Sequence, residues 1–190
     1  MKGAVAAFTV AAHRYAVENG KNFAGDVYVA GVVHEECFEG VAARKISAKV
    51  KPDYVVIGEA SEMNLKVGQR GRAEIVVETF GVPAHSANPE RGVNAVYKMC
   101  EAIQAIREIE PPVQDKLGKG ILELTDVKSS PYPGASVVPE YCRATYDRRL
   151  LVGETKESVL QPIIEKMEEL KKKDPQFSYK VSYAVGKGEC

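Results

Sequence analysis

The stretch Arg72-Ala73-Glu74-Ile75-Val76-Val77-Glu78-Thr79-Phe80, followed by Gly81-Val82-Pro83-Ala84-His85-Ser86-Ala87-Asn88-Pro89, decides how this chain folds. Residues 72–80 read as a strand with partial alternation of apolar and polar side chains. Residues 91–109 then place Val93, Val96, Cys100, Ile103 and Ile106 on one stripe of a helix, with Asn88 as a cap and Pro89 in the first turn. Pro111-Pro112 ends that helix. Two strands are expected over residues 121–127 and 135–150, separated by the turn-rich Ser129-Ser130-Pro131-Tyr132-Pro133-Gly134. Thr155 caps a last helix that carries Val159, Ile163, Met167 and Leu170 on its apolar side. Lys171-Lys172-Lys173 sits at its C-terminal end, where cations suit the helix dipole. Pro162 argues against a straight helix. A closing strand covers residues 177–185. The order is βαββαβ, the ferredoxin-like arrangement, in which two helices bury one face of a sheet.

The part before this unit has a different pattern. Residues 2–19 put Val5, Phe8, Ala12 and Tyr15 at helical spacing, and Asn19-Gly20 is a stop signal. Residues 26–33 and 54–57 are short apolar runs of the kind buried as strands in parallel sheets. Between them, residues 38–50 form a helix with Val41, Ile46 and Val50. Helix, strand, helix, strand is part of a doubly wound α/β domain. Two good strands do not make a stable sheet alone, so the remaining strands are expected outside this sequence.

Composition removes several classes of function. The 190 residues carry 26 Lys+Arg against 26 Asp+Glu, which is not the electrostatic footprint of a nucleic-acid binder. No run of apolar residues is long enough to span a membrane, and the start is not a signal peptide. Cys37, Cys100, Cys142 and Cys190 are scattered and contain no CxxC, so they read as reduced thiols of a cytoplasmic protein. No GxxxxGK[ST] loop and no serine nucleophile elbow occur.

Several residues could carry chemistry. Glu35-Glu36 closes the run 26–33, at the rim where α/β sheets bind ligands. Two neighbouring carboxylates can divide the jobs of metal ligand and general base, and a solvated acidic turn is the plainer reading. Glu59 follows the run 54–57 and emerges at the same rim, or else caps a loop near Ser61. His85 lies in the Gly81–Pro89 stretch as a candidate hydrogen-bond donor, or as an ordinary loop histidine. Arg149, at the end of Tyr146-Asp147-Arg148-Arg149, has the geometry to hold a carboxylate; a surface ion pair explains it as well.

Taken in order, Gly31-Val32-Val33-His34-Glu35-Glu36, Ile57-Gly58-Glu59-Ala60-Ser61 and Pro83-Ala84-His85-Ser86-Ala87-Asn88-Pro89 resemble one family. It is the di-zinc amide hydrolases that include acetylornithine deacetylase, succinyl-diaminopimelate desuccinylase, aminoacylase and glutamate carboxypeptidase. The resemblance implies an α/β fold: a partial doubly wound catalytic domain over residues 1–65 and a ferredoxin-like βαββαβ lid/dimerisation domain over residues 66–186. Residues 187–190 would begin the return to the catalytic domain. It further implies Glu35 as general base, Glu36 and Glu59 as zinc ligands, His85 reaching the partner subunit's site to stabilise an oxyanion, and Arg149 on the substrate carboxylate. Two zinc ions per site are the family expectation, with cobalt or manganese as alternatives. The substrate would be an N-acyl amino acid or a short peptide, cleaved by zinc-activated water. The partner would be a second copy docked through the lid, with no nucleic acid and no membrane.

In that family an aspartate bridging the metals sits directly before Met-Lys-Gly, the tripeptide Met1-Lys2-Gly3 here. An upstream His-x-Asp histidine and a histidine near the C-terminus complete its ligands. This chain holds only the two carboxylates. It is therefore expected to be a fragment that is inactive alone, or a truncated module used only for dimerisation or interaction. An unrelated α/β binding protein is the remaining alternative.

Overall fold

A computed structural model describes residues 1–20, 22–36 and 40–184. It divides into two compact units, Met1–Val67 and Gly68–Cys190. The sequence-predicted segment 187–190, with Cys190, lies outside the described residues, as does Cys37. No helix among the described residues is long and apolar enough to cross a membrane.

The first unit contains helices α1 (Lys2–Glu18) and α2 (Val41–Val50), close to the expected positions. The two expected strands do not form among the described residues: 26–33 and 54–57 are extended segments outside any ladder. Both run along α1. A methyl added at Gly58 would lie 2.8 Å from Ala4 Cβ and from a ring carbon of Phe8, and one at Gly31 would lie 4.0 Å from Val5. The apolar side chains that marked these runs stay uncovered, Tyr54 at 92% exposure and Val56 at 77%. A strand is held by hydrogen bonds to neighbours, and among the described residues neither run belongs to a ladder. Apolarity predicted burial, but no described residue of this unit is buried.

The second unit has the expected order. Strand β1 (Gly71–Phe80) leads to α3 (Ala95–Arg107), then a short hairpin of β2 (Val113–Gln114) and β3 (Gly118–Lys119). Strands β4 (Ile121–Ser130) and β5 (Tyr141–Leu150), helix α4 (Lys156–Lys173) and β6 (Ser178–Tyr183) follow. The main sheet is antiparallel with strand order β4-β5-β1-β6. Without the small hairpin this is the split βαββαβ topology.

The register explains the core. Ile75 lies opposite Tyr146 and Tyr183, Val77 opposite Ala144 and Val181, and Thr79 opposite Cys142 and Tyr179, so all share one face. Helix α3 covers that face with Ala95, Met99, Ala102 and Ile106, and α4 with Val159, Ile163 and Met167. The opposite face carries Arg72, Glu74, Glu78, Arg143, Asp147 and Arg149. A bulge in β4 between Leu124 and Asp126 reverses the side on which its later residues project.

Element ends depart from the sequence reading for local reasons. Asn88-Pro89 starts only a 3-10 turn (Pro89–Arg91), and α3 begins at Ala95. Asn94 is the true cap: its Oδ1 accepts the N–H groups of Val96 and Tyr97 at 2.9 and 3.3 Å. Val93 is taken out of the helix by a bridge to Val82. Cys100, placed on the core stripe by spacing, is exposed, while Cys142 is buried; both are free thiols. Thr155 does cap α4, in a reciprocal box with Ser158, and α4 continues through Pro162.

One charged pair belongs to the interior. Arg148 projects on the helix-covered face at 4% exposure and pairs with Glu154, which also accepts the Leu151 N–H at 2.7 Å. Burial lowers the Arg148 pKa, and the Glu154 charge opposes that shift. Removing one partner leaves an uncompensated buried charge. Glu154→Ala is therefore expected to destabilise this unit by roughly 3–5 kcal/mol, measured by urea unfolding. A loss below about 1 kcal/mol would show the pair to be solvated.

Candidate functional site

The five candidate residues divide between the two units. Glu35, Glu36 and Glu59 lie in the first and are all exposed. Glu59 directly follows Gly58, which packs on Ala4 and Phe8, so it emerges beside the first turns of α1. His34, before the acidic pair, adopts a left-handed backbone at φ 55°.

A catalytic or structural zinc normally uses three or four protein ligands. Among the described residues, no group of three or more His, Cys, Asp or Glu side chains is placed to hold a metal ion. Glu36 and Glu59 would supply two donors, so the described donor set does not by itself fit a hydrolytic metal.

His85 is held by a dense set of backbone hydrogen bonds. Val82 and Val93 exchange both N–H···O bonds at 2.9 Å, and Gly81 N–H donates to Glu140 O at 2.7 Å. Val138 N–H donates to Ala84 O at 2.8 Å and Ser86 N–H to Ser136 O at 2.9 Å, closing an antiparallel bridge of His85 with Val137. These bonds explain why β5 starts at Tyr141 rather than 135: residues 136–140 are committed to the histidine loop. Inside the loop, Ala87 N–H donates to His85 Nδ1 at 3.1 Å. With Nδ1 accepting, the neutral imidazole carries its proton on Nε2, which leaves an N–H free to donate. The ring is exposed, so that donor is available to a ligand.

Arg149 is on the open face of the sheet. Its Nε donates to Asp147 Oδ2 at 2.7 Å, and Arg72 Nε donates to Asp147 Oδ1 at 2.5 Å. Asp147 is thus clamped between two guanidinium groups. The Arg149 side chain remains 43% exposed and can still offer donors. The ion-pair reading of Arg149 describes its contacts directly. His85 and Arg149 are also far apart within one chain. Glu140, beside the histidine loop, precedes β5, while Arg149 is nearly at its other end, roughly 25–30 Å away along an extended strand. A single small substrate cannot touch both residues of the same chain.

Gly81 and Gly92 escaped the sequence reading. A methyl on Gly81 would lie 2.0 Å from Val93 O, and one on Gly92 would lie 2.6 Å from Val82 O. Their places at the two ends of the histidine loop were the available signal.

Residues 67–175 match the model of the M20 peptidase dimerisation domain. The chain belongs to that family. Among its relatives, the uncharacterized protein YgeY of Escherichia coli strain K12 is 34% identical over 139 residues, covering 71% of this chain and 34% of that protein. Succinyl-diaminopimelate desuccinylase of Marinobacter nauticus is 27% identical over 175 residues, covering 86% of this chain and 46% of that enzyme. Aminobenzoyl-glutamate utilization protein from Klebsiella pneumoniae aligns structurally at a TM-score of 0.48 with 18% identity, over 60% of this chain and 28% of that one. This M20 chain therefore spans between a third and a half of the length of the two curated relatives.

Two tests follow from the geometry of the M20 unit. Gly81→Ala should cost about 1–3 kcal/mol by overpacking against backbone and should shift the His85 and Ala87 NMR resonances; an unchanged loop spectrum would contradict the clamp. The second concerns Asp147. Burial pushes its carboxyl up, but hydrogen bonds and charge from Arg72 and Arg149 outweigh this and hold it below the usual 3.8. A depressed folded-state pKa gives stability that is complete above the unfolded value and is lost as pH falls through the folded one. Asp147→Asn should therefore cost on the order of 2 kcal/mol at pH 7, with the gap to wild type closing below about pH 4 in thermal melts.

Proposed function

We propose that this chain is part of a metal-dependent peptidase or deacylase that hydrolyses the amide bond of an N-acyl amino acid or a short peptide. It works as a homodimer assembled through the βαββαβ unit. The observation that carries this reading is the His85 loop within a matched dimerisation domain, which leaves an exposed Nε2–H donor. Such a donor suits the oxygen that becomes negative as a scissile carbonyl is attacked. In this assignment His85 serves the site of the second copy. The strand-length separation from Arg149 supports that assignment, because the two residues must then come from different chains.

Glu35 is assigned as the general base, taking a proton from the attacking water and delivering it to the leaving amine. Glu36 and Glu59 are assigned as two ligands of the metal, zinc by family expectation. Arg149 offers its remaining donors to the substrate carboxylate. The two-carboxylate donor set favours a second reading for this chain taken alone: a dimerisation or interaction module that does not turn over substrate.

Sedimentation velocity at tens of micromolar, with zinc titration and an assay on N-acetyl amino acids, separates these readings. The expected result is a species of twice 20.7 kDa, with weak zinc binding and no turnover. A monomer would overturn the dimer assignment, and tight stoichiometric zinc with turnover would overturn the incomplete donor set. In a chimera where this chain replaces the matching part of the Marinobacter enzyme, Glu35→Gln should lower kcat by at least roughly 100-fold with the fold intact. Unchanged turnover there would remove Glu35 from the mechanism.

A further inference from the structure

Strand β4 forms one edge of the main sheet, and no N–H or C=O along its outer side has a backbone partner among the described residues. An open edge of this kind is a template for another strand. The opposite edge, β6, is poorly suited to one. Its six residues include a single charge, Lys180, which lies 3.8 Å from Glu78 of the same chain. Its tyrosines turn back to α4, Tyr179 bonding Glu168 and Tyr183 bonding Lys156 O. Strand β4 is ten residues long and carries both signs of charge.

The sequence of β4 is self-complementary about its bulge. Glu123 lies opposite Asp147 and Lys128 opposite Arg143, so both project on the open face of the sheet. Leu124 lies opposite Tyr146 and Val127 opposite Ala144, so both project on the helix-covered face. In a regular strand, residues an odd number apart project on opposite sides. The extra residue Thr125, whose hydroxyl donates to Thr145 O at 3.1 Å, brings each of these pairs onto one side. A two-fold axis between Thr125 and Asp126 therefore sets β4 antiparallel to its copy with matching sides together. That register puts Glu123 opposite Lys128 of the partner subunit and Leu124 opposite Val127 of the partner subunit, each twice by symmetry.

The charges favour this arrangement. Within one chain, Glu123 and Lys128 each stand across from a like charge on β5, which is unfavourable between strands. Both side chains are exposed, and neither has an ion pair among the described residues. A second copy supplies the opposite sign to both. Val127, 45% exposed in the single chain, gains an apolar neighbour in Leu124 of the partner subunit.

We propose that a second copy of this chain docks edge to edge on β4, in the register that pairs Glu123 with Lys128 of the partner subunit. The inference rests on the homodimer reading and adds to it the surface and the register.

The test is sedimentation velocity of the full chain over a concentration series, with variants shown to be folded by their melting curves. E123K sets lysine against lysine at both symmetric positions, and K128E sets glutamate against glutamate. Each variant alone should dimerise roughly 5- to 30-fold more weakly than wild type. An equimolar mixture of the two variants restores opposite charges at both positions, as does the double variant E123K/K128E on its own. Both should associate within about 3-fold of wild type. A wild-type dimer that neither reversal weakens would overturn the proposal and leave the homodimer reading standing. So would a dimer that both reversals weaken without recovery in the mixture. A wild-type monomer would overturn the homodimer reading and this inference with it.

Discussion

The second unit depends on the close approach of two helices to one face of β1 and β5. That approach is possible because the central positions are small: Ala144 and Cys142 on the sheet, Ala95 and Ala102 on α3. Larger side chains, Met99, Ile106, Ile163, Met167 and Phe177, fill the space around them. Tight packing of this kind fixes where each strand ends, since core interiors tolerate little change in volume. The His85 loop is then a consequence of those ends. It leaves β1 at Phe80 and re-enters at α3, whose first residue Ala95 gives its carbonyl to the buried Thr79 hydroxyl at 2.8 Å and its N–H to Pro139 O at 2.9 Å.

The first unit shows the same physics with the covering layer absent among its described residues. Its extended segments have the composition of buried strands, yet their side chains are exposed. Hydrophobic composition states a demand for burial, and only neighbouring elements meet it.

Much of the second unit could be read from the chain. Periodicity at Val159, Ile163 and Met167 located α4 and its buried side, and Thr155 marked its start. What misled were features set by long-range backbone bonding. Asn88-Pro89 has the chemistry of a helix start, but the bridge between Val82 and Val93 delays the helix to Asn94, an equally good cap. Residues 137–139 have strand character but serve the His85 loop instead of the sheet, and residues 135–136 turn, with Ser136 at φ 54°. At the candidate site, residue types were legible, whereas contacts were not. A surface ion pair at Arg149 could be read from the sequence, but its partners could not: Arg72 joins Asp147 only through the pairing of β1 with β5. Gly81 and Gly92 carry no chemical group, so their necessity emerges only from the carbonyls that approach them.

The bond from Ala87 N–H to His85 Nδ1 has a consequence for metal chemistry. A neutral imidazole has one lone pair available for coordination, and here the backbone amide already uses it. The opposite nitrogen bears hydrogen and repels a cation. As long as this turn holds its shape, His85 is excluded as a ligand, and any metal near it must be bound by other groups. The same short turn thus fixes which ring nitrogen of His85 accepts and which donates.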